Sequence, residues 1–224
     1  MKILIVRFSS IGDIVLTTPI VKAVKEQLQH VEIHYLTKKS FASLLHDNPA
    51  ISKIYTIEKS INEITNQLKV EKYDYIIDLH KNIRTLRLKI KLGVPNFSFD
   101  KLNIHKWLLV NFKINRMPHL HIVDRYFGAV EKLGVKNDGS HCNVMLNSKD
   151  VVDVKSTLNV TPKDYLAVAI GAQFATKTMP IELMTKILNP IDKPIVLLGG
   201  KTDCERGETL TKQLQTAGCT VINA

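Results

Sequence analysis

Cysteine is scarce and dispersed. Cys142, Cys204 and Cys219 are the only three, and no CxxC occurs. That spacing argues against a disulfide framework or a zinc site and makes the reducing cytoplasm the expected compartment. The histidines show no ligand spacing either. "HLH" at 119–121 and "HC" at 141–142 are too loose, so no metal is expected, and His119 and His121 read as turn or packing residues. No apolar run approaches the ~20 residues of a membrane span. The start has no basic segment, apolar core and cleavage site in series, so no signal peptide is read. Neither GxGxxG nor GxxxxGK[ST] is present, which weakens a nicotinamide, flavin or P-loop reading; no cofactor is expected.

Acids are short in one part of the chain. Residues 1–150 hold 23 Lys/Arg against 14 Asp/Glu, whereas residues 151–224 hold 8 against 7. A basic first part suits nucleic acid, an anionic membrane surface or an acidic small substrate, or is simply a solvated face. Within 81–119 the imbalance is extreme, with nine Lys/Arg and the single acid Asp100. Phe97, Phe99, Trp107 and Phe112 are interleaved there. Aromatic residues among cations can stack on bases, but no recognition helix or RNA-binding motif accompanies them, and nucleic acid is not expected as a partner. "KWLLVNFK" (106–113) can instead lie on an anionic membrane, or 81–119 is an exposed helix pair with a few buried aromatics.

Against these absences stands a regular alternation. "KILIVRF" (2–8), "VEIHYLT" (31–37), "SKIYTI" (52–57) and "YDYIIDLH" (73–80) read as strands, separated by helical periodicity over 14–29, a short helix at 40–47 and an amphipathic helix at 60–70. This predicts a parallel sheet with helices on both faces. A helix is predicted over 122–133. A second series follows: strand 165–170, helix 180–188 with Pro180 in its first turn, strand 194–200, a helix over about 203–217 and a strand from 219. Three strands with two crossovers make half of a doubly wound domain, with the strand at 165–170 left as an apolar edge. The expectation is the front portion of a longer protein, divided into a first domain at 1–158 and an incomplete second at 159–224.

The residues that can do chemistry sit where such sheets place ligands, at the carboxyl ends of strands. Asp13 follows Gly12 in "RFSSIGDIVLTTP". Asp is a favoured helix N-cap; equally, an unpaired carboxylate can take a proton from a hydroxyl. Ser9, Ser10 and Gly12 leave little bulk around it. In "GAQFATKTMP" (171–180), Thr176, Thr178 and Lys177, with backbone N–H groups at the following helix start, suit a phosphate. Arg84, just after the fourth strand, is the best-placed cation of the basic stretch.

"ILIVRFSSIGDIVLTTPIVKAVK", "YDYIIDLHKNIRT", "HIVDRYFGAVEKLGV", "AIGAQFATKTMPIE" and "PIVLLGGKTDCE" together resemble the bacterial lipopolysaccharide heptosyltransferases, glycosyltransferase family 9. The resemblance implies an α/β fold of GT-B type, with an N-terminal Rossmann-like acceptor domain and the first half of a Rossmann-like donor domain. It implies an inverting, metal-independent transfer of a heptose or related sugar from a nucleotide-sugar, ADP-heptose by analogy, to the anionic lipopolysaccharide inner core. The protein would work at the cytoplasmic face of the inner membrane, in peripheral contact with it. Asp13 takes the position of the family's base. Ser9, Ser10, Gly12 and Arg84 fall on the acceptor side, and Gly171, Thr176 and Lys177 on the donor side. Family members continue into an Asp-Thr-Gly stretch followed by a histidine; this chain ends before it. The alternative is a truncated, non-catalytic binding module of the same fold.

Overall fold

The computed structural model describes residues 1–172 and 174–224, with only the backbone of Ser148. Contacts divide the chain into Met1–Asn147 and Ser148–Ala224. The boundary expected from sequence falls after residue 158; residues 148–158 group instead with the second unit.

The first unit is built on a five-stranded sheet. β1 (Lys2–Val6), β2 (Glu32–Lys38), β3 (Lys53–Ile57), β4 (Tyr75–Asp78) and β5 (Asn96–Ser98) run parallel in the order β3-β2-β1-β4-β5. Successive side chains of a strand point to opposite faces. Ile3 and Ile5 of β1 therefore pack with Ile20, Val24, Ile33 and Tyr126 on one side. Leu4 and Val6 pack with Leu36, Ile57, Leu68 and Leu88 on the other. Ile3, Leu4, Ile5 and Val6 are all fully buried, which is why the strand reads as an unbroken apolar run rather than an alternation.

The helices of this unit are α1 (Ile11–Val15), α2 (Thr18–Gln27), α3 (Thr65–Val70), α4 (Ile83–Leu92), α5 (Asn103–Phe112) and α6 (Ile122–Phe127). The single helix predicted over 14–29 is thus two. Pro19 has no N–H to offer Val15, and the Thr18 hydroxyl donates to that carbonyl instead, at 2.8 Å. The Thr17 hydroxyl donates to Ile14 O at 2.7 Å, so side chains close the end of α1. The helix predicted over 122–133 likewise stops at Phe127, and a separate 3-10 turn covers Glu131–Leu133. His121 caps α6, its Nδ1 accepting from Val123 N at 3.3 Å.

The stretch 81–119 contains more order than its composition suggests. Asn82 and Thr85 form a reciprocal cap at the start of α4, Thr85 N donating to Asn82 Oδ1 at 3.0 Å and Asn82 N to Thr85 Oγ1 at 2.9 Å. Gly93 ends that helix in the left-handed region at φ 66°. β5 then adds a fifth strand that the sequence pattern did not announce.

The second unit holds α7 (Val154–Leu158), β6 (Leu166–Ala169), α8 (Ile181–Leu188), β7 (Ile195–Leu198), α9 (Cys204–Thr216) and β8 (Val221–Asn223). Its strands are parallel in the order β6-β7-β8. Ile195 and Leu197 are covered by Met184, Leu188, Leu210 and Leu214. β6 is an edge strand, with Ala167 and Ala169 exposed. Pro180 lies one position earlier than predicted, at the N-cap of α8.

Candidate functional site

β1 ends at Val6, and the chain turns into α1 through Arg7–Ser10. Ser10 is the N-cap of α1, which places Asp13 at the third helical position. There the carboxylate accepts from Ser10 N at 3.2 Å and from Ser10 Oγ at 3.1 Å. The N-cap is therefore Ser10, not Asp13 as one reading of the sequence had it; Asp13 braces the cap from inside the helix. It is also ion-paired: Arg7 Nη2 lies 2.5 Å from Asp13 Oδ2. The Asp13 side chain is 39% exposed, whereas that of Arg7 is 9% exposed. Partial burial pushes the Asp13 pKa up, but the Arg7 charge and the Ser10 hydrogen bonds more than offset it, and the net shift is downward. Asp13 is thus an ionised carboxylate with one side held and part of its surface open to solvent.

Arg7 was not singled out from sequence, although it is the one charge inside the apolar run "ILIVRF". Its remaining donors are fixed by backbone. Nε donates to Ser9 O at 2.7 Å and Nη1 to Leu79 O at 2.5 Å. The guanidinium carbon lies 5.9 Å from the ring centroid of Tyr126. Three separated motifs, "RFSSIGD", "YIIDLH" and "DRYF", thus meet at one side chain.

The surroundings are electropositive. His80, just past β4, packs edge-on to Phe8 with centroids 5.0 Å apart. Burial, and then the charges of Arg7 and Lys101, push its pKa down to about 4. Its Nδ1 is buried and has no hydrogen-bond partner among the described residues. Burial and Arg7 also lower the pKa of Lys101. Asp78 at the end of β4 is fully buried, pairs with Lys89 at 3.1 Å and accepts from His80 N and Lys81 N at 3.0 and 2.7 Å. It braces the turn after β4.

Of Ser9, Ser10 and Gly12, Ser10 bonds Asp13 directly, and Ser9 O accepts from Arg7. Ser10 and Gly12 are exposed, and a Cβ on Gly12 would meet nothing within 4 Å. Protein packing therefore does not demand a glycine there. Arg84 lies in the first turn of α4 and is exposed; it lines a hollow of about 530 Å³ with Lys59, Arg87 and Lys91 that does not include Asp13.

In the second unit, Gly171 and Lys177 line one cavity of about 260 Å³ with Ile170, Thr178 and Met184. Thr176 is exposed on the turn Ala175–Lys177 and is not part of that lining; Thr178 is. The Thr178 hydroxyl donates to Phe174 O at 3.2 Å, and Lys177 Nζ lies 5.9 Å from the Phe174 ring centroid. Gly171 is required by close approach, since a Cβ there would fall 2.1 Å from Asp203 Oδ2. That carboxylate accepts from Gly200 N at 2.8 Å, so it is not free to step aside. Arg206, unmarked in the sequence, ties the end of β6 to the loop through Ile170 O at 3.0 Å and through Met179 O.

The strand order β3-β2-β1-β4-β5 makes the first unit a doubly wound α/β sheet, and the second is a three-stranded parallel α/β unit; sheets of this class take ligands past the carboxyl ends of their strands. The model of glycosyltransferase family 9 (heptosyltransferase) matches residues 61–223, and the chain belongs to that family. Asp13 lies ahead of the matched span.

The chain is 27% identical over 137 residues to lipopolysaccharide heptosyltransferase 1 of Campylobacter coli, covering 57% of this chain. It is 24% identical over 138 residues to lipopolysaccharide heptosyltransferase 3 of Escherichia coli, covering 55%. Each alignment spans 40% of the relative's own length. The fold is similar to that of a family 9 glycosyltransferase from Veillonella parvula, with a TM-score of 0.78 at 23% identity over 98% of this chain and 69% of that one. E. coli heptosyltransferase WaaC, solved with ADP, gives 0.70 at 18% identity over 100% and 74%. The architecture is accordingly α/β of GT-B type.

Proposed function

We propose that the chain carries the acceptor side and part of the donor side of an inverting glycosyltransferase. The observation that carries this reading is the Asp13–Arg7 pair at the carboxyl end of β1, where an ionised, partly exposed carboxylate is held in place by a buried guanidinium. Family membership supports transfer of a sugar. The names of the relatives support lipopolysaccharide as the setting, and the ADP held by WaaC supports a nucleotide-sugar as donor. A heptose from ADP-heptose to the inner core is the particular reaction proposed.

In this mechanism Asp13 accepts the proton of an acceptor hydroxyl. The hydroxyl oxygen forms its bond to the anomeric carbon from the face opposite the nucleotide, and the bond to the diphosphate breaks with its electron pair leaving on phosphate oxygen. A carboxylate of lowered pKa is a weak base in the resting state. It takes the proton as the new C–O bond forms, when the hydroxyl has become strongly acidic. Arg7 keeps the carboxylate ionised and aimed. Ser9, Ser10 and Gly12 leave room for the acceptor, and Arg84 and Lys101 favour anionic groups on it. Lys177 and the N-terminus of α8 stabilise the diphosphate, while Gly171 and Thr176 border it.

The setting proposed is the cytoplasmic face of the inner membrane, in peripheral contact with it. The test is transfer from a nucleotide-sugar to a core glycolipid by the wild-type protein and by Asp13→Asn. Loss of turnover with intact folding supports the assignment; near-equal turnover overturns it.

A further inference from the structure

Six of the ten residues of α5, "NIHKWLLVNF", are apolar, yet none of its residues is buried. A helix of that composition belongs in a core or against a membrane. His105, Leu108 and Leu109 share one arc and are half-buried. On the opposite arc, Ile104, Trp107 and Val110 follow one another at three-residue spacing and are 74%, 55% and 67% exposed. Phe112 and Ile114 extend this apolar surface at the carboxyl end of the helix, and Phe112 packs edge-on to Trp107 at 5.2 Å. Cations predominate in this part of the chain: Lys101, Lys106, Lys113 and Arg116 lie within 101–119, and over 81–119 nine Lys/Arg stand against the single acid Asp100. Lys106, Lys113 and Arg116 are exposed.

We propose that α5 is the element that docks on an anionic lipid bilayer, lying in the plane of the interface with Ile104, Trp107 and Val110 at the boundary between headgroups and acyl chains and Lys106, Lys113 and Arg116 among the headgroups. Charge complementarity selects this occupant. Burial of apolar side chains and attraction of cations to anionic lipid act together at such a surface, and a tryptophan is well suited to its boundary. A protein partner would also cover the apolar arc, but would give no reason for nine Lys/Arg against one acid over 81–119. The inference deepens the membrane-side setting proposed above and does not use its chemistry. Vesicle binding without sugar transfer would leave it standing and count against the transferase reading; transfer without vesicle binding would do the reverse.

Trp107 is the only tryptophan, so the unlabelled protein reports on the contact. Vesicles of phosphatidylcholine containing about a third phosphatidylglycerol should shift its emission to the blue, brominated acyl chains should quench it, and pure phosphatidylcholine should do neither. Ile104→Ser with Val110→Ser should lower vesicle affinity about tenfold or more, and Lys106→Gln with Lys113→Gln about five-fold per charge. These side chains are exposed, and unchanged circular dichroism would show that the fold persists. The inference is overturned by absence of binding to anionic vesicles, or by binding that leaves Trp107 emission unchanged. A blue shift produced by raised protein concentration alone would also overturn it, since a second copy would then be the occupant.

Discussion

Arg7 Nη2 lies 2.5 Å from Asp13 Oδ2, and the same guanidinium donates to Leu79 O just past the neighbouring strand β4. The pair links the ends of two strands to the first turn of α1. Its chemical consequence is a downward shift of the Asp13 pKa against the upward pull of partial burial. A step that needs ionised Asp13 is therefore available at all pH values above that lowered pKa and is lost only as pH falls through it.

Arg7→Met removes the charge and leaves burial to act. The Asp13 pKa then rises, and the acid limb of kcat/KM moves to higher pH. Folding stability should fall by about 1–3 kcal/mol through the lost charged hydrogen bonds to Ser9 O and Leu79 O. A pH–rate profile with chemical denaturation of both proteins checks both parts. An unmoved acid limb would show that Arg7 does not tune Asp13.

His80 gives a separate pH dependence, in stability. Its folded pKa, about 4, lies below the ordinary histidine value of 6.5. The unfolded chain thus binds this proton first as pH falls. The stability associated with neutral His80 is fully present above pH ~6.5 and is lost progressively down to pH ~4. His80→Gln should flatten the fall in Tm between neutral pH and pH ~5. An identical slope in the variant would place the proton uptake elsewhere.

The loop after β6, proposed above to hold the donor diphosphate, allows a third prediction. Lys177→Ala should weaken affinity for ADP about tenfold while leaving Tm within a degree or so, because an exposed charge contributes mainly to the ligand. Gly171→Ala should reduce ADP affinity and Tm together, since its Cβ would strike the Asp203 carboxylate that holds Gly200 N. Isothermal titration with ADP and thermal melts separate the two. Tm loss in Lys177→Ala, or an unaffected Gly171→Ala, would contradict this account.

The strands were legible because β1 and β4 carry continuous apolar runs that fit no exposed helix and β2 alternates in "VEIHYLT". β5 was not, because three residues after a proline are too few to show a period. The break between α1 and α2 turns on the Thr18 hydroxyl reaching Val15 O, a contact invisible to periodicity, although Pro19 marked the place. At the site, Asp13 stood out because it was an unexplained acid after an apolar strand. Arg7 was hidden inside that strand, and only the fold brings it against Leu79 and Tyr126, which lie more than seventy and a hundred residues away. Arg206 was missed for the same reason: its role depends on carbonyls of Ile170 and Met179 that no sequence pattern marks.

The central claim is that Asp13 is the base. Its most direct test is the turnover of Asp13→Asn against wild type, at saturating nucleotide-sugar and core acceptor, with circular dichroism and melting as controls on folding. Asparagine keeps the size and the capping geometry but cannot take the proton. The account predicts a fall in kcat of about 10²–10⁴-fold with little change in KM. Turnover within a few-fold of wild type, or a wild-type protein that transfers no sugar from any nucleotide donor, would contradict it.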